Sequence, residues 1–163
     1  MSKKDNLLVF DLDETLVFST TKKLGYDPLF RCGQFNVYTR PHLSEILIKS
    51  SQLYGIGIWS SADEDYVVDI VQRIVPSSIE LEFIWDKKWC QPIEHNKDLV
   101  LIKPLEKLDV LNWQMNQILL VDDNLEQANF FYNQTYTIIP YNGDKNDREL
   151  IIFYQWLLER YKN

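Results

Sequence analysis

Short, uninterrupted apolar runs recur along this chain with helical patterns between them, and no other feature limits its fold so tightly. Leu7-Leu8-Val9-Phe10 is the first, Ile56-Gly57-Ile58-Trp59, Leu81–Trp85 and Ile118-Leu119-Leu120-Val121 repeat it, and 135–139 gives a further candidate ended by Pro140. A run without polar alternation belongs to a strand buried on both faces. Between the runs the period lengthens. Pro41 suits a first helical turn, with Leu43, Ile46 and Leu47 on one face. After Ser61 or Asp63 as cap, Tyr66, Val67, Ile70, Val71 and Ile74 form a stripe that stops at Pro76. A shorter helix is expected over 125–132. Asn146 with Glu149 three residues on predicts a capping box, opening an amphipathic helix through Leu150, Phe153, Trp156 and Leu157. Buried strands alternating with helices predict the α/β class: a doubly wound, Rossmann-like parallel sheet of about five strands with helices on both faces. The stretch 14–40 fits neither period and is expected to form a small hairpin or flap inserted after strand 1, with 16–19 against 35–38.

At 163 residues, with no repeat or Gly/Ser linker, the chain is expected to form one domain over 1–163. Its 24 acidic and 17 basic residues leave a net charge of −7. That balance lacks the electrostatic footprint of a nucleic-acid binder and disfavours anionic membrane, so any phosphate handled must meet locally placed cations or a metal. Cys32 and Cys90 are too few for a disulfide framework or a zinc site and are expected as reduced thiols in or near the core. No run is long enough for a signal segment or a membrane span. The expectation is a cytoplasmic or nuclear monomer without a membrane partner.

Polar residues follow three of the runs immediately. Phe10 leads into Asp11-Leu12-Asp13-Glu14-Thr15, Trp59 into Ser60-Ser61, and Val121 into Asp122-Asp123. In an open α/β sheet the carboxyl ends of parallel strands line one crevice, so residues distant in sequence meet there. Two carboxylates two positions apart repel unless a cation or a proton separates them, which a turn or cap explains poorly. Phosphoryl transfer accounts for the whole set, because an anionic group in transit needs a neutralising cation and a nucleophile in line. Asp11 would attack phosphorus, and Asp13 would protonate the leaving oxygen and later take the proton of the attacking water. Magnesium wants hard oxygen ligands, which Asp11, the backbone carbonyl of Asp13, and Asp122 or Asp123 offer. Ser60 can hydrogen-bond a phosphate oxygen, and Lys103, in an apolar stretch, can keep Asp11 ionised and offset charge on the phosphoryl oxygens. Gly55-Ile56-Gly57 lacks the third glycine of a dinucleotide fingerprint, and His42 and His95 lack metal-ligand spacing. The tryptophans are expected in the core or its rim, with Trp85 and Trp89 close enough to the crevice to meet a substrate.

Asp11-Leu12-Asp13-Glu14-Thr15-Leu16-Val17 resembles the catalytic signature of the small-CTD-phosphatase (FCP/SCP-like) branch of the haloacid dehalogenase superfamily, and Arg40-Pro41-His42-Leu43-Ser44-Glu45-Ile46-Leu47 resembles that branch's next landmark. Ile58-Trp59-Ser60-Ser61-Ala62, Ile102-Lys103-Pro104-Leu105, Val121-Asp122-Asp123-Asn124 and 144–150 continue the likeness in order, in a pattern nearest to the catalytic domains of the ubiquitin-like-domain-containing CTD phosphatases. The resemblance implies Asp11 as nucleophile, Asp13 as acid and base, Ser60 and Lys103 on the phosphate, and Asp122 and Asp123 on Mg2+. It also implies phosphoserine or phosphothreonine in a phosphorylated protein as substrate, although the branch's positive residues near the third strand are represented only by Lys87-Lys88. About forty residues separate Ser60 from Lys103, and one helix and one strand of ordinary length use much of that. Only a minimal cap is therefore expected, and an open cleft suits a protein segment better than an enclosed metabolite. The competing readings are a phosphatase for nucleic-acid ends or small phosphate esters, and a non-catalytic interaction domain retaining the fold. Loss of the nucleophile, acid or lysine would favour the last, and all three are present.

Overall fold

The computed structural model describes residues 4–95, 97–124, 126 and 131–161. The first apolar run is strand β1 (Leu7–Phe10); β2 (Val17–Thr20), β3 (Phe30–Cys32) and β4 (Phe35–Thr39) follow, then helix α1 (Leu43–Ser51), β5 (Gly55–Trp59), helix α2 (Glu64–Ile74) and β6 (Leu81–Trp85). After these come β7 (Gln91–His95), β8 (Asp98–Ile102), a 3-10 segment (Leu105–Leu111), β9 (Ile118–Asp122), β10 (Thr135–Thr137) and helix α3 (Glu149–Tyr161). Strands β10, β9, β1, β5 and β6 form a wholly parallel sheet in that order, with β1 at its centre. The helix expected over 125–132 falls largely outside the described residues.

Residue parity divides the sheet between two apolar layers. Leu8, Phe10, Ile56, Ile58, Leu119 and Val121 face a core filled by α1, α2 and α3. Leu7, Val9, Trp59, Ile118 and Leu120 face the other, where Leu105 and Leu108 of the 3-10 segment and Trp113 close over them. A continuous apolar run is what a strand wedged between two such layers requires. Trp59 and Trp113 are fully buried, whereas Trp89 lies at the rim, stacked on Trp85 with ring centroids 4.1 Å apart. Both cysteines are free, Cys90 buried and Cys32 partly so. Among the described residues no helix is long and apolar enough to cross a membrane.

Gly57 shows how closely the second layer packs. A methyl group on its Cα would overlap the Phe83 ring of neighbouring β6. Gly57→Ala is therefore expected to cost about 1–3 kcal/mol through overpacking, read as a lower denaturant midpoint in equilibrium unfolding. An unchanged midpoint would mean that the ring moves aside freely.

Local details depart from the expectations in instructive ways. The flap after β1 has three antiparallel strands in the order β2–β4–β3, and β2 begins at Val17 because the N–H groups of Leu16 and Val17 both turn back to the Leu12 carbonyl, at 2.9 and 3.0 Å. β10 stops two residues before the end of its apolar run. At the start of α3 the Glu149 N–H bonds Asp147 Oδ1 at 3.0 Å, while the Asn146 N–H bonds Asp144 Oδ1 at 2.9 Å, so Asp147 supplies the cap expected of Asn146. Between β6 and Lys103 the chain forms a two-stranded hairpin, β7 with β8, which constitutes the small cap.

Candidate active site

The acidic turn grows directly out of β1. The Asp11 N–H continues the ladder by bonding the Val121 carbonyl at 2.9 Å, and the Ser60 N–H extends β5 by bonding the Trp85 carbonyl at 2.9 Å. Beyond Asp11 the backbone reverses: Glu14 adopts the left-handed region at φ 60°, and its N–H bonds the Val17 carbonyl at 2.7 Å. Asp11, Asp13, Lys103, Asp122 and Asp123 thereby line one small polar cleft at the carboxyl edge of the sheet, together with Ser61.

Lys103 is at the centre of this arrangement. Its Nζ donates to Asp11 Oδ1 and, at 2.6 Å, to Asp122 Oδ2, and all three side chains are buried. The other Asp122 oxygen accepts the Asn124 N–H at 2.8 Å, and Asp123 Oδ1 accepts the Thr15 hydroxyl at 3.1 Å. Burial pulls the Lys103 ammonium down, but Asp11 and Asp122 outweigh it and hold the group above its ordinary value. One ammonium does not satisfy three acids. Burial pushes the Asp11 carboxyl well up despite Lys103, with Asp122 adding to the rise. Burial, then Asp122, pushes Asp123 up to about 6. Asp13 is raised as well, by burial, against a lowering hydrogen bond from Tyr66.

These rises, due first to burial, fall on acids gathered at one point of the cleft. One oxygen from each of Asp11, Asp122 and Asp123 lies within 4.8 Å of the others. A hard divalent cation that keeps several waters fits such an all-oxygen set, which brings both residues of the Asp122-Asp123 pair to the same place. Neither His42 nor His95 belongs to this cluster.

Ser60 is buried, and its Oγ accepts the Ala62 N–H at 3.0 Å; Ser61 rather than Ser60 lines the cleft. Lys87 and Lys88 turn toward α2, where they pair with Asp63 and Glu64. Two residues had no role assigned from the sequence. Tyr66, which the sequence places in an apolar stripe, reaches Asp13 Oδ1 and the Ser19 hydroxyl with its own hydroxyl. Arg40, known only as a landmark, is buried and forks onto Asp147 at 2.8 and 2.9 Å while bonding the carbonyls of Thr15 at 3.0 Å and Ile139 at 2.5 Å. The signal was a phenol inside an apolar stripe for Tyr66 and no more than a place in that landmark for Arg40. It did not identify the partner.

The sequence profile of the family described as NLI interacting factor-like phosphatase matches residues 6–162, and the chain belongs to that family. It is 26% identical over 151 residues to CTD small phosphatase-like protein 2 of Dictyostelium discoideum, covering 88% of this chain and 25% of that protein. It is also 26% identical over 181 residues to a CTD phosphatase-like protein of Invertebrate iridescent virus 3, covering 92% of this chain and 94% of the viral one. Among solved structures, the fission yeast RNA polymerase II CTD phosphatase Fcp1 bound to beryllium fluoride shares the fold, with a TM-score of 0.59 at 14% identity over 98% of this chain and 51% of that one. A further structure of Fcp1 gives a TM-score of 0.60 at 14% identity, over 98% of this chain and 48% of that one. The chain thus spans a quarter of the Dictyostelium protein and about half of each Fcp1 chain.

Proposed function

We propose that this member of the NLI interacting factor-like phosphatase family hydrolyses phosphate monoesters through a phospho-aspartyl intermediate on Asp11, with Mg2+, and that its substrates are phosphoserine or phosphothreonine residues of proteins. The observation that carries the reading is the buried Lys103 ammonium held between Asp11 and Asp122, with Asp123 and Asp13 on the same cleft. A carboxylate kept beside a fixed cation, away from bulk water, is an available nucleophile.

In the first displacement an Asp11 oxygen bonds to phosphorus as the bond to the ester oxygen breaks. The Asp13 carboxyl gives its proton to that departing oxygen. In the second, Asp13 takes a proton from water as the water oxygen bonds to phosphorus, and the Asp11–phosphorus bond breaks to release inorganic phosphate. Lys103 stays charged throughout and balances the phosphoryl oxygens, while Ser61, on the cleft, stands ready to hydrogen-bond one of them and the buried Ser60 hydroxyl holds the Ala62 N–H. Asp11, the Asp13 backbone carbonyl, Asp122 and Asp123 would hold the Mg2+, which when bound neutralises charge on the transferring group. Among the described residues the cap is the β7–β8 hairpin, and a cleft so lightly covered admits a segment of a protein. The names of the relatives, all CTD phosphatases or proteins like them, support the same substrate class.

The test is phosphate release from 4-nitrophenyl phosphate and from a phosphoserine peptide, with Mg2+ and with a chelator. Chelation is expected to lower turnover by at least about a hundredfold, in line with the several kcal/mol of charge stabilisation that a catalytic metal provides. Mg2+ should also raise the melting temperature without substrate, since a ligand at about 100 times its Kd adds about 2.7 kcal/mol to stability. A folded chain that neither shifts with Mg2+ nor releases phosphate from either compound would overturn the reading.

A further inference from the structure

Asp13 needs more than a suitable charge to serve as acid and then base: one of its oxygens must face the reacting ester while the other is kept occupied. Its Oδ1 accepts a hydrogen bond from the hydroxyl of Tyr66. Tyr66 lies in the first turn of α2, and its ring meets Phe35 of β4 edge-on, with centroids 6.0 Å apart and planes at 78°. The same hydroxyl lies 2.6 Å from Ser19 Oγ of β2. A phenol has a single proton, so only one of these two contacts can be donated by Tyr66. With its acid proton on Oδ2, or with no proton at all, the Asp13 carboxyl only accepts at Oδ1. The Tyr66 proton therefore goes to Asp13 Oδ1, and the Ser19 hydroxyl donates in turn to the tyrosine oxygen.

We propose that Tyr66 is a positioning residue for the reaction: its hydroxyl, oriented by Ser19 of the flap, occupies Asp13 Oδ1 and leaves Oδ2 as the oxygen that exchanges a proton with the ester and the water. This rests on the reading of Asp13 as acid and base and names the residue that holds it to that task. The Tyr66 proton is not transferred. In the first displacement the proton leaves Oδ2 for the departing oxygen, and in the second it returns to Oδ2 from water, while the bond from Tyr66 to Oδ1 persists through both. Asp13 sits in a turn whose backbone is fixed by its own bonds, whereas its side chain would swing about its Cα–Cβ and Cβ–Cγ bonds without this contact. Because Ser19 and Phe35 belong to the flap and Tyr66 to α2, the flap is anchored at the same point that orients the acid.

Tyr66→Phe removes the hydroxyl and keeps the ring packed on Phe35. It should be compared with the native chain on 4-nitrophenyl phosphate, whose leaving group departs with little help, and on unsubstituted phenyl phosphate, which depends more on a proton donor. The expected result is a fall in kcat of about ten- to a hundredfold on phenyl phosphate, within the range that general acid catalysis contributes, a several-fold smaller fall on 4-nitrophenyl phosphate, and unchanged KM. In an Asp13→Asn background the same change should have no further effect, since the group it positions is gone. Ser19→Ala should show the same ester dependence with a smaller loss, and it decides the question if Tyr66→Phe does not fold. Equal losses on the two esters, a change confined to KM, or full additivity with Asp13→Asn would overturn the inference while leaving the Asp11 mechanism standing. Native rates on phenyl phosphate in Asp13→Asn itself would instead remove the acid/base reading, and this inference with it.

Discussion

Replacing Asp11 with asparagine is expected to abolish phosphate release while leaving a folded chain that is at least as stable as the native one in chelator. The amide is nearly isosteric with the carboxylate and cannot form the acyl phosphate, so the loss in kcat should be at least about a thousandfold, as for other enzymes deprived of a nucleophile. The stability follows from the sign of the pKa shift. The Asp11 carboxyl titrates higher in the folded chain than in the unfolded one, chiefly because it is buried. An acid raised in this way binds its proton more tightly in the native state, so the folded form loses stability as pH rises from the ordinary carboxylate range through the raised value, and the cost is fully present above it. Asparagine never ionises and escapes that cost, and Lys103 retains Asp122 as its partner. Phosphate release and a melting curve in chelator, both at neutral pH, check the two halves. Residual turnover near the native rate would place the nucleophile elsewhere, and a collapsed variant would make the carboxylate structural.

Arg40→Ala is expected to destabilise the chain by about 3–5 kcal/mol, the cost of removing one partner of a buried ion pair. For a chain of this size that corresponds to a melting temperature lower by roughly 10 °C. The guanidinium satisfies both oxygens of Asp147 and the carbonyls of Thr15 and Ile139. Alanine would leave an almost buried carboxylate and two carbonyls without their donor, at a place too enclosed for water to substitute fully. Arg40→Lys should recover only part of the loss, because an ammonium cannot present the planar fork that reaches Asp147 and the two carbonyls together. Thr15 lies in the acidic turn, so activity should fall with stability. A loss under about 1 kcal/mol in thermal or denaturant unfolding would show that Asp147 finds other partners, and would reduce the clamp to an ordinary surface pair.

The parts of this molecule legible in its sequence are those governed by local pattern. The run at Leu7–Phe10 became a strand with the same bounds, because continuous apolarity has few other uses in a chain this short, and so did Leu81–Trp85 despite the exposed Glu82 within it. Asp11, Lys103, Asp122 and Asp123 converge as expected, since the carboxyl ends of parallel strands share an edge and polar residues following such strands must meet there. Other parts depend on pairing across the chain, which no local pattern encodes. In β8 the exposed Leu99 and Leu101 blur any strand signal, and only partnership with β7 makes the hairpin. The choice between Ser60 and Ser61 as the residue facing the cleft depends on the twist of the chain as it leaves β5. The Tyr66 phenol satisfies an apolar stripe and reaches a carboxylate equally well, and periodicity registers only the first. Arg40 and Asp147 are far apart along the chain, so their fork is visible only once α3 has docked.

The position of β1 also bears on how such a chain is made. Its neighbours on the two sides are β5 and β9, and the second of these pairs Leu7 with Ile118. During synthesis the strand bearing Asp11 emerges and then waits for a partner that follows roughly a hundred residues later, an interval of several seconds to tens of seconds at about 5–20 residues per second. Throughout it an apolar strand has one edge unprotected, which is the condition under which nascent chains aggregate or engage chaperones. Lys103 and Asp122 are also not yet in place beside Asp11. On the proposed mechanism a partly made chain is therefore inactive, because the cluster of Asp11, Lys103 and Asp122 forms only in the same late event that pairs β9 with β1.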